Sequence, residues 1–303
     1  MPEHMSFFDA AEANKRNSLV FLGIMFVIFL LFIVALSYVL GLPPLCGLVL
    51  GFLFLLVYTV IVYYKGDSAI LALSGAKEVT ERDQPFLYNV VEGLALASSV
   101  PMPKLYVIND PSPNAFATGR DPKHASIAVT SGLLSMMNHE ELEGVVAHEM
   151  SHVANFDIRF SMIAIVFAGA IALLAEFALR YLLLGAMTGG GNNRRRGGGS
   201  MEIILIVIGL VFMILAPIFA QFVRMAISRQ REYLADANGA KLTRYPPGLA
   251  SALEKIKAAG IPTKAATDTT ASLYFSNPFP SKASLLFASH PPIDDRIKRL
   301  RSM

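Results

Sequence analysis

Apolar residues in this chain fall into four long runs, and the stretches between them show helix or strand periodicity. Residues 18–40 and 42–64 are uncharged, and each is long enough to span a bilayer core. Gly41, Pro43 and Pro44 supply a tight turn between them, so the two predict a helical hairpin. Residues 160–184 form a third run, interrupted by Glu176 and Arg180; residues 203–223 form a fourth, with Pro217 as a kink. Between the second and third runs the pattern changes. Leu142, Val145, Val146 and Val153 recur at helical spacing behind Asn138, a good N-cap, with Glu141 three residues on as in a capping box. That predicts a helix from about 139 to 155. Residues 104–108, 115–118 and 126–130 read as short strands, with Gly119 and Pro122 at the turn.

Flanking charge sets the orientation. Lys15 and Arg16 precede the first run, no Lys or Arg lies in the turn after it, and Lys65 follows the second. The positive-inside rule then places the N-terminus and residues 65–157 in the cytoplasm. Arg194, Arg195 and Arg196, in the Gly-rich loop 185–200, oppose that rule if the last two runs cross. Either a flexible loop carries them across, or the second hairpin inserts shallowly; spanning is the reading adopted. Glu176 and Arg180 stand one turn apart and can pair, and Arg180 is near enough to the segment end to snorkel.

Composition agrees with a membrane protein: 54% of residues are hydrophobic and 16% charged, where a soluble domain carries about a quarter charged residues. The net charge of +3 is modest and partly clustered beside the apolar runs, which points to anionic lipid and not to nucleic acid. The one cysteine, Cys46, permits no disulfide within the chain and fits a reducing compartment.

The chemistry sits on the 139–155 helix. His148 and His152, four apart, share one face, so two imidazoles can hold one metal ion, while Glu149 can reach a metal-bound water and take its proton. Beyond the fourth run, Glu232 and Asp236 are again four apart. In a gluzincin arrangement Glu232 is the third zinc ligand, and Asp236 accepts a hydrogen bond from the far nitrogen of a ligating histidine. Two crossings, or none, between the histidines and Glu232 keep all three on one side. His152 lies eight residues before the third run and Glu232 nine after the fourth, so on continuous helices the metal would stand roughly 12–14 Å beyond the apolar segments.

With these residues in place the chain resembles the HtpX family of bacterial membrane zinc endopeptidases. The resemblance rests on the two leading apolar runs, Asn-Ala-Phe-Ala at 114–117, Ala-His-Glu-Met-Ser-His-Val at 147–153, the second apolar pair, Arg-Glu-Tyr-Leu-Ala-Asp-Ala at 231–237, and His290-Pro291-Pro292 with Arg296. Related prenyl-protein endopeptidases have more membrane segments. The resemblance implies an α+β zincin-like catalytic domain combined with four transmembrane helices. It implies one Zn²⁺ per chain, and cleavage of damaged or misfolded membrane proteins or unfolded polypeptides by an inner-membrane enzyme whose site faces the cytoplasm. It gives Asn114, Ala115 and Phe116 a place in binding extended substrate, and His290 a part in stabilising the oxyanion. Arg296 is expected as a structural partner of an Asp or Glu, the run 296–301 as a solvated helix face, and His4, His124 and His139 as inert. The corresponding units are 1–64 (tail and first hairpin), 65–157 (first catalytic part), 158–227 (second hairpin) and 228–303 (second catalytic part). A prenyl-protein-type endopeptidase and a non-proteolytic zinc-binding scaffold are the competing readings; the intact Glu149 argues against the scaffold, since a bare metal site needs no base. Oligomeric state is not legible in the sequence.

Overall fold

The computed structural model describes residues 43–167, 229–267, 270–279 and 291–303, with scattered positions between 12 and 30. A long helix α1 (Pro44–Leu73) leads into strand β1 (Ala76–Val79), helix α2 (Pro85–Ser98), and strands β2 (Lys104–Ile108), β3 (Ala115–Gly119) and β4 (Ala125–Thr130). Helices α3 (Ser131–Met136), α4 (His139–Ala154), α5 (Arg229–Thr243), α6 (Pro246–Ala259) and α7 (Ile293–Arg301) follow. The sheet runs β1-β2-β4-β3; β2 and β4 are parallel and the outer pairings antiparallel, so β3 lies at an edge.

Strand alternation divides the core in two. Leu105, Ala115, Ala117, Ile127 and Val129 face one cluster with α2, α4 and α6. Tyr106, Ile108, Phe116 and Ala128 face the other, which contains Ile70 and Leu71 of α1 and the residues from Phe160 to Phe167. The sheet thus separates a soluble-type core from one continuous with the apolar runs.

Helix α1 starts at Pro44, where a missing N–H costs nothing. It continues through Lys65 and Asp67 to Leu73, 30 residues in all, so it passes the boundary expected at 64/65 without a break. Its last turns seat on the sheet. Among the described residues one helix, Leu48–Leu73, is long and apolar enough to cross a membrane. Phe21 meets Phe160 edge-on at 5.4 Å, so the first and third runs touch. Residues 168–228, including Glu176, Arg180, Arg194–Arg196 and the fourth run, lie outside the described residues, as does His4.

The predicted capping box forms: Glu141 N–H donates to Asn138 Oδ1 and Asn138 N–H to Glu141 Oε2, both at 2.9 Å. Glu141 also accepts from Ser251 (2.6 Å) and Lys255 (2.7 Å), tying α4 to α6. A side chain on Gly144 would meet the Leu249 backbone at 2.8 Å, so the two helices approach as closely as glycine permits. Burial pushes the Glu141 carboxyl up, but the hydrogen bonds from Lys255, Ser251 and Asn138 outweigh it and hold it below the usual range. A depressed carboxylate stabilises the fold above its unfolded value, about 4.3, and loses that contribution as pH falls through the folded value. Glu141→Gln should therefore cost about 2 kcal/mol at neutral pH and flatten the acid limb below about pH 4; unfolding curves from pH 3 to 7 read both.

Two expectations are corrected here. The helix carrying the histidines does not run on into the third apolar run. It ends at Ala154, turns at Asn155 and Phe156, whose φ of 60° is left-handed, and a new helix begins at Asp157. The run 296–301 is a solvated face only in part: Lys298, Arg299 and Arg301 are exposed. Arg296 and Leu300, four apart, point inward because α7 is amphipathic and packs on α6 and α5. Exposed His124 pairs with Asp121, and exposed His139 lies beside Phe86.

Candidate active site

Helices α4 and α5 cross closely at the site. Gly239 allows it: a Cβ there would stand 3.1 Å from His148 N. Ser151 and Asn238 add a hydrogen bond at 3.1 Å along the same contact. The crossing brings His148, His152 and Glu232 together, with one ligand atom from each lying within 4.8 Å of the others. His148 Nε2 and His152 Nε2 are 3.2 Å apart. Glu232 Oε2 is 3.7 Å from the first and Oε1 3.4 Å from the second. The edge of a tetrahedral zinc site with N/O ligands is ~3.3 Å.

Hydrogen bonds on the other ring nitrogens decide which nitrogens face inward. His148 Nδ1 is 2.9 Å from Asp236 Oδ1, and His152 Nδ1 is 2.9 Å from Asp157 Oδ2. Each carboxylate accepts the Nδ1 proton, so both Nε2 lone pairs and the Glu232 carboxylate aim at one point. Three acceptors around one point, with repulsion between their lone pairs, form a place for a cation. The donor set of two imidazoles and a carboxylate suits zinc.

Burial lowers His148 to about 4, against the opposing effect of Asp236, so the imidazole is neutral as a ligand must be. Burial works the same way on His152, but Asp157 and Glu232 hold that ring well above its ordinary value. Together they favour positive charge between the ring and Glu232, the same place a metal cation would fill. Glu149 is pushed up to about 7 by burial, with Glu232 adding to the rise and His152 and the Ala117 N–H opposing it. A group titrating near neutrality suits a general base.

Arg296 completes the cluster. It is 2% exposed and grips Asp236 at two points, Nε–Oδ2 at 2.9 Å and Nη2–Oδ1 at 2.7 Å. It stands 3.9 Å from Glu232 and donates to the Phe275 carbonyl at 2.9 Å. A narrow cleft opens on His148, Glu149, His152 and Glu232 and is walled by residues 272–275.

Of the substrate-binding candidates, Asn114 is 2% exposed and its amide is engaged at both ends, by Ala115 N–H and Ser276 on one side and by Thr263 and Ser276 on the other. The Phe116 side chain faces away from the cleft, packed edge-on against Tyr274 at 5.1 Å. Ala115 is wholly buried and its carbonyl accepts from Phe275 N–H. In this structure all three are covered by residues 274–276. His290 lies outside the described residues.

Asp157 was not legible as a site residue. It stands five residues after His152, past the helix end, and only the left-handed turn at Phe156 folds it back onto the ring. Arg231 stands 3.6 Å from the other carboxylate oxygen of Asp157, Oδ1. Asp157→Ala should weaken metal binding about 10–100-fold, with Asp157→Asn losing less. Competition against a chromophoric chelator measures this, and equal affinity in Asp157→Ala would remove Asp157 from the site.

Residues 81–303 match the model of peptidase family M48. A Protease HtpX homolog of Dictyoglomus thermophilum is 45% identical over 298 residues, covering 98% of this chain and 95% of that protein. Another, from Listeria monocytogenes, is 45% identical over 303 residues, covering 98% and 99%. One from Caldanaerobacter subterraneus is 49% identical over 257 residues, 85% of each. Among solved structures, the crystal structure of S. mikatae Ste24p matches with a TM-score of 0.51 at 17% identity, covering 96% of this chain and 66% of that one. That likeness concerns the fold.

Proposed function

This chain belongs to peptidase family M48 and is a metalloprotease of the membrane; on that premise we propose that it is an endopeptidase holding one zinc ion with His148, His152 and Glu232. The observation that supports this most is the convergence of three acceptor atoms from helices 80 residues apart, with both histidines turned by carboxylates. Zinc, when bound, supplies Lewis-acid chemistry, lowering the pKa of water and polarising the scissile carbonyl. Glu149 takes the proton of the attacking water and delivers it to the leaving amine. Asp236 and Asp157 orient the imidazoles, and Arg296 neutralises Asp236. His290, carried from the family resemblance, is assigned to the oxyanion.

The substrates proposed are damaged or unfolded membrane proteins. The site supports this by its place: Asp157, on His152, opens the helix that enters the start of the third apolar run at Phe160. The enzyme is proposed as multi-pass with its site toward the cytoplasm. Purified protein in detergent should bind about one zinc per chain and cleave an unfolded polypeptide. Chelation should stop cleavage and zinc should restore it. Cleavage that survives complete metal removal would overturn the reading. For topology, a cysteine at Asn192 or Asn193, with Cys46 replaced, should react with an impermeant thiol reagent from outside; labelling only after the membrane is opened would remove the four-span arrangement but leave the zinc site.

A further inference from the structure

The free edge of β3 is occupied by the chain itself. Phe275 N–H donates to the Ala115 carbonyl at 2.7 Å. The next residue is held by an amide side chain: Ser276 N–H donates to Asn114 Oδ1 and Asn114 Nδ2 to the Ser276 carbonyl, both at 3.1 Å. Arg296 Nη1 donates to the Phe275 carbonyl at 2.9 Å. The Phe275 ring, 1% exposed, stands edge-on to the His148 ring at 4.9 Å, with the Arg296 guanidinium 4.6 Å over it. Two residues further along β3, the Ala117 N–H reaches Glu149.

All four hydrogen bonds go to main-chain atoms of residues 275 and 276. Such contacts read no sequence; they hold any extended dipeptide against a sheet edge, the way a peptide is added as a strand. The position adjoins Glu149 and a zinc-ligand candidate. Resting on the protease reading above, we infer that Phe275–Ser276 fills the place of a bound substrate strand and that the Phe275 pocket is a subsite for a large apolar side chain. Ala115, Asn114 and Arg296 are then the substrate's backbone partners, and Asn114 serves substrate only after the chain's own segment leaves. A tethered occupant competes at an effective concentration on the order of mM. Substrates must therefore be extended and must offer a bulky apolar residue, a combination that folded proteins bury.

The test uses the zinc-loaded full chain, an unfolded reporter, and a capped peptide with the sequence of residues 272–278. Ser276→Pro removes one N–H at a half-buried position. It should lower the reporter's KM several-fold with kcat retained, and the peptide should inhibit this variant competitively. A peptide with alanine in place of its phenylalanine should inhibit at least tenfold less. In Glu149→Gln saturated with reporter, the Phe275 and Ser276 amides should exchange hydrogen faster than in the reporter-free variant. Amides that stay protected under saturating reporter would make the segment a permanent wall and overturn the inference, and this measurement stands even if Ser276→Pro does not fold. Exchange and peptide binding need no turnover, so a wild type that cleaves nothing would sink the protease reading alone.

Discussion

Replacing Glu149 with glutamine should lower kcat about 10²–10⁴-fold while leaving zinc at one per chain. The side chain is 2% exposed, and glutamine has nearly its shape, so the change removes a titratable oxygen and little else. Burial raises the carboxyl to about 7, so at neutral pH a proton can be taken up and given back with little driving force lost. An amide accepts no proton at that pH. The ligands on α4 and α5 are untouched, so metal content should match wild type when measured by elemental analysis on the same preparation. Residual cleavage above a tenth of wild type would exclude Glu149 as the base.

Arg296→Ala should be the most destabilising single change at the site, about 3–5 kcal/mol. Asp236 is 3% exposed, and its carboxyl is held down to about 2; burial opposes this, and Arg296 with His148 overcomes it. Without the guanidinium that negative charge stays buried with only the His148 contact, and the ring loses its fixed partner geometry. Metal affinity should fall together with stability. Arg296→Lys should not rescue, because one ammonium cannot replace the two-point grip. Arg296→Ala combined with Asp236→Asn should lose less than the sum of the two single changes, since the second removes the stranded charge. Unfolding in detergent and chelator competition measure the two effects, and strict additivity would show that the pair is not coupled.

Much of the site was legible because it rests on local periodicity. His148, Glu149 and His152 share a helix whose start is written in Asn138 and Glu141, and a turn of 3.6 residues fixes which side chains converge. The pairing of Glu232 and Asp236 follows from the same spacing, and the strands from short apolar runs between turn residues. Asp157 was missed because its position depends on a left-handed Phe156, an ordinary-looking residue in sequence. The continuous helix expected after His152 failed at the same turn. Arg296 could be matched to an acid, but its depth could not be foreseen. It lies in a basic run that reads as solvated, and only the packing of α7 against α5 and α6 turns one of that run's three arginines inward.

The sequence alone determined which residues carry the chemistry and which stretches are apolar enough for a bilayer, since both are properties of short segments: side-chain type, helical spacing and run length. The tertiary structure decided what those residues face. Closure of α5 over α4 at Gly239 sets the ligand distances, the Phe156 turn supplies the second histidine with its carboxylate, and the return of residues 274–276 to β3 covers Asn114. The first and last of these join segments far apart in the chain, and the second turns on the backbone conformation of one residue. Their free energy comes from burial and mutual hydrogen bonding that no local pattern encodes.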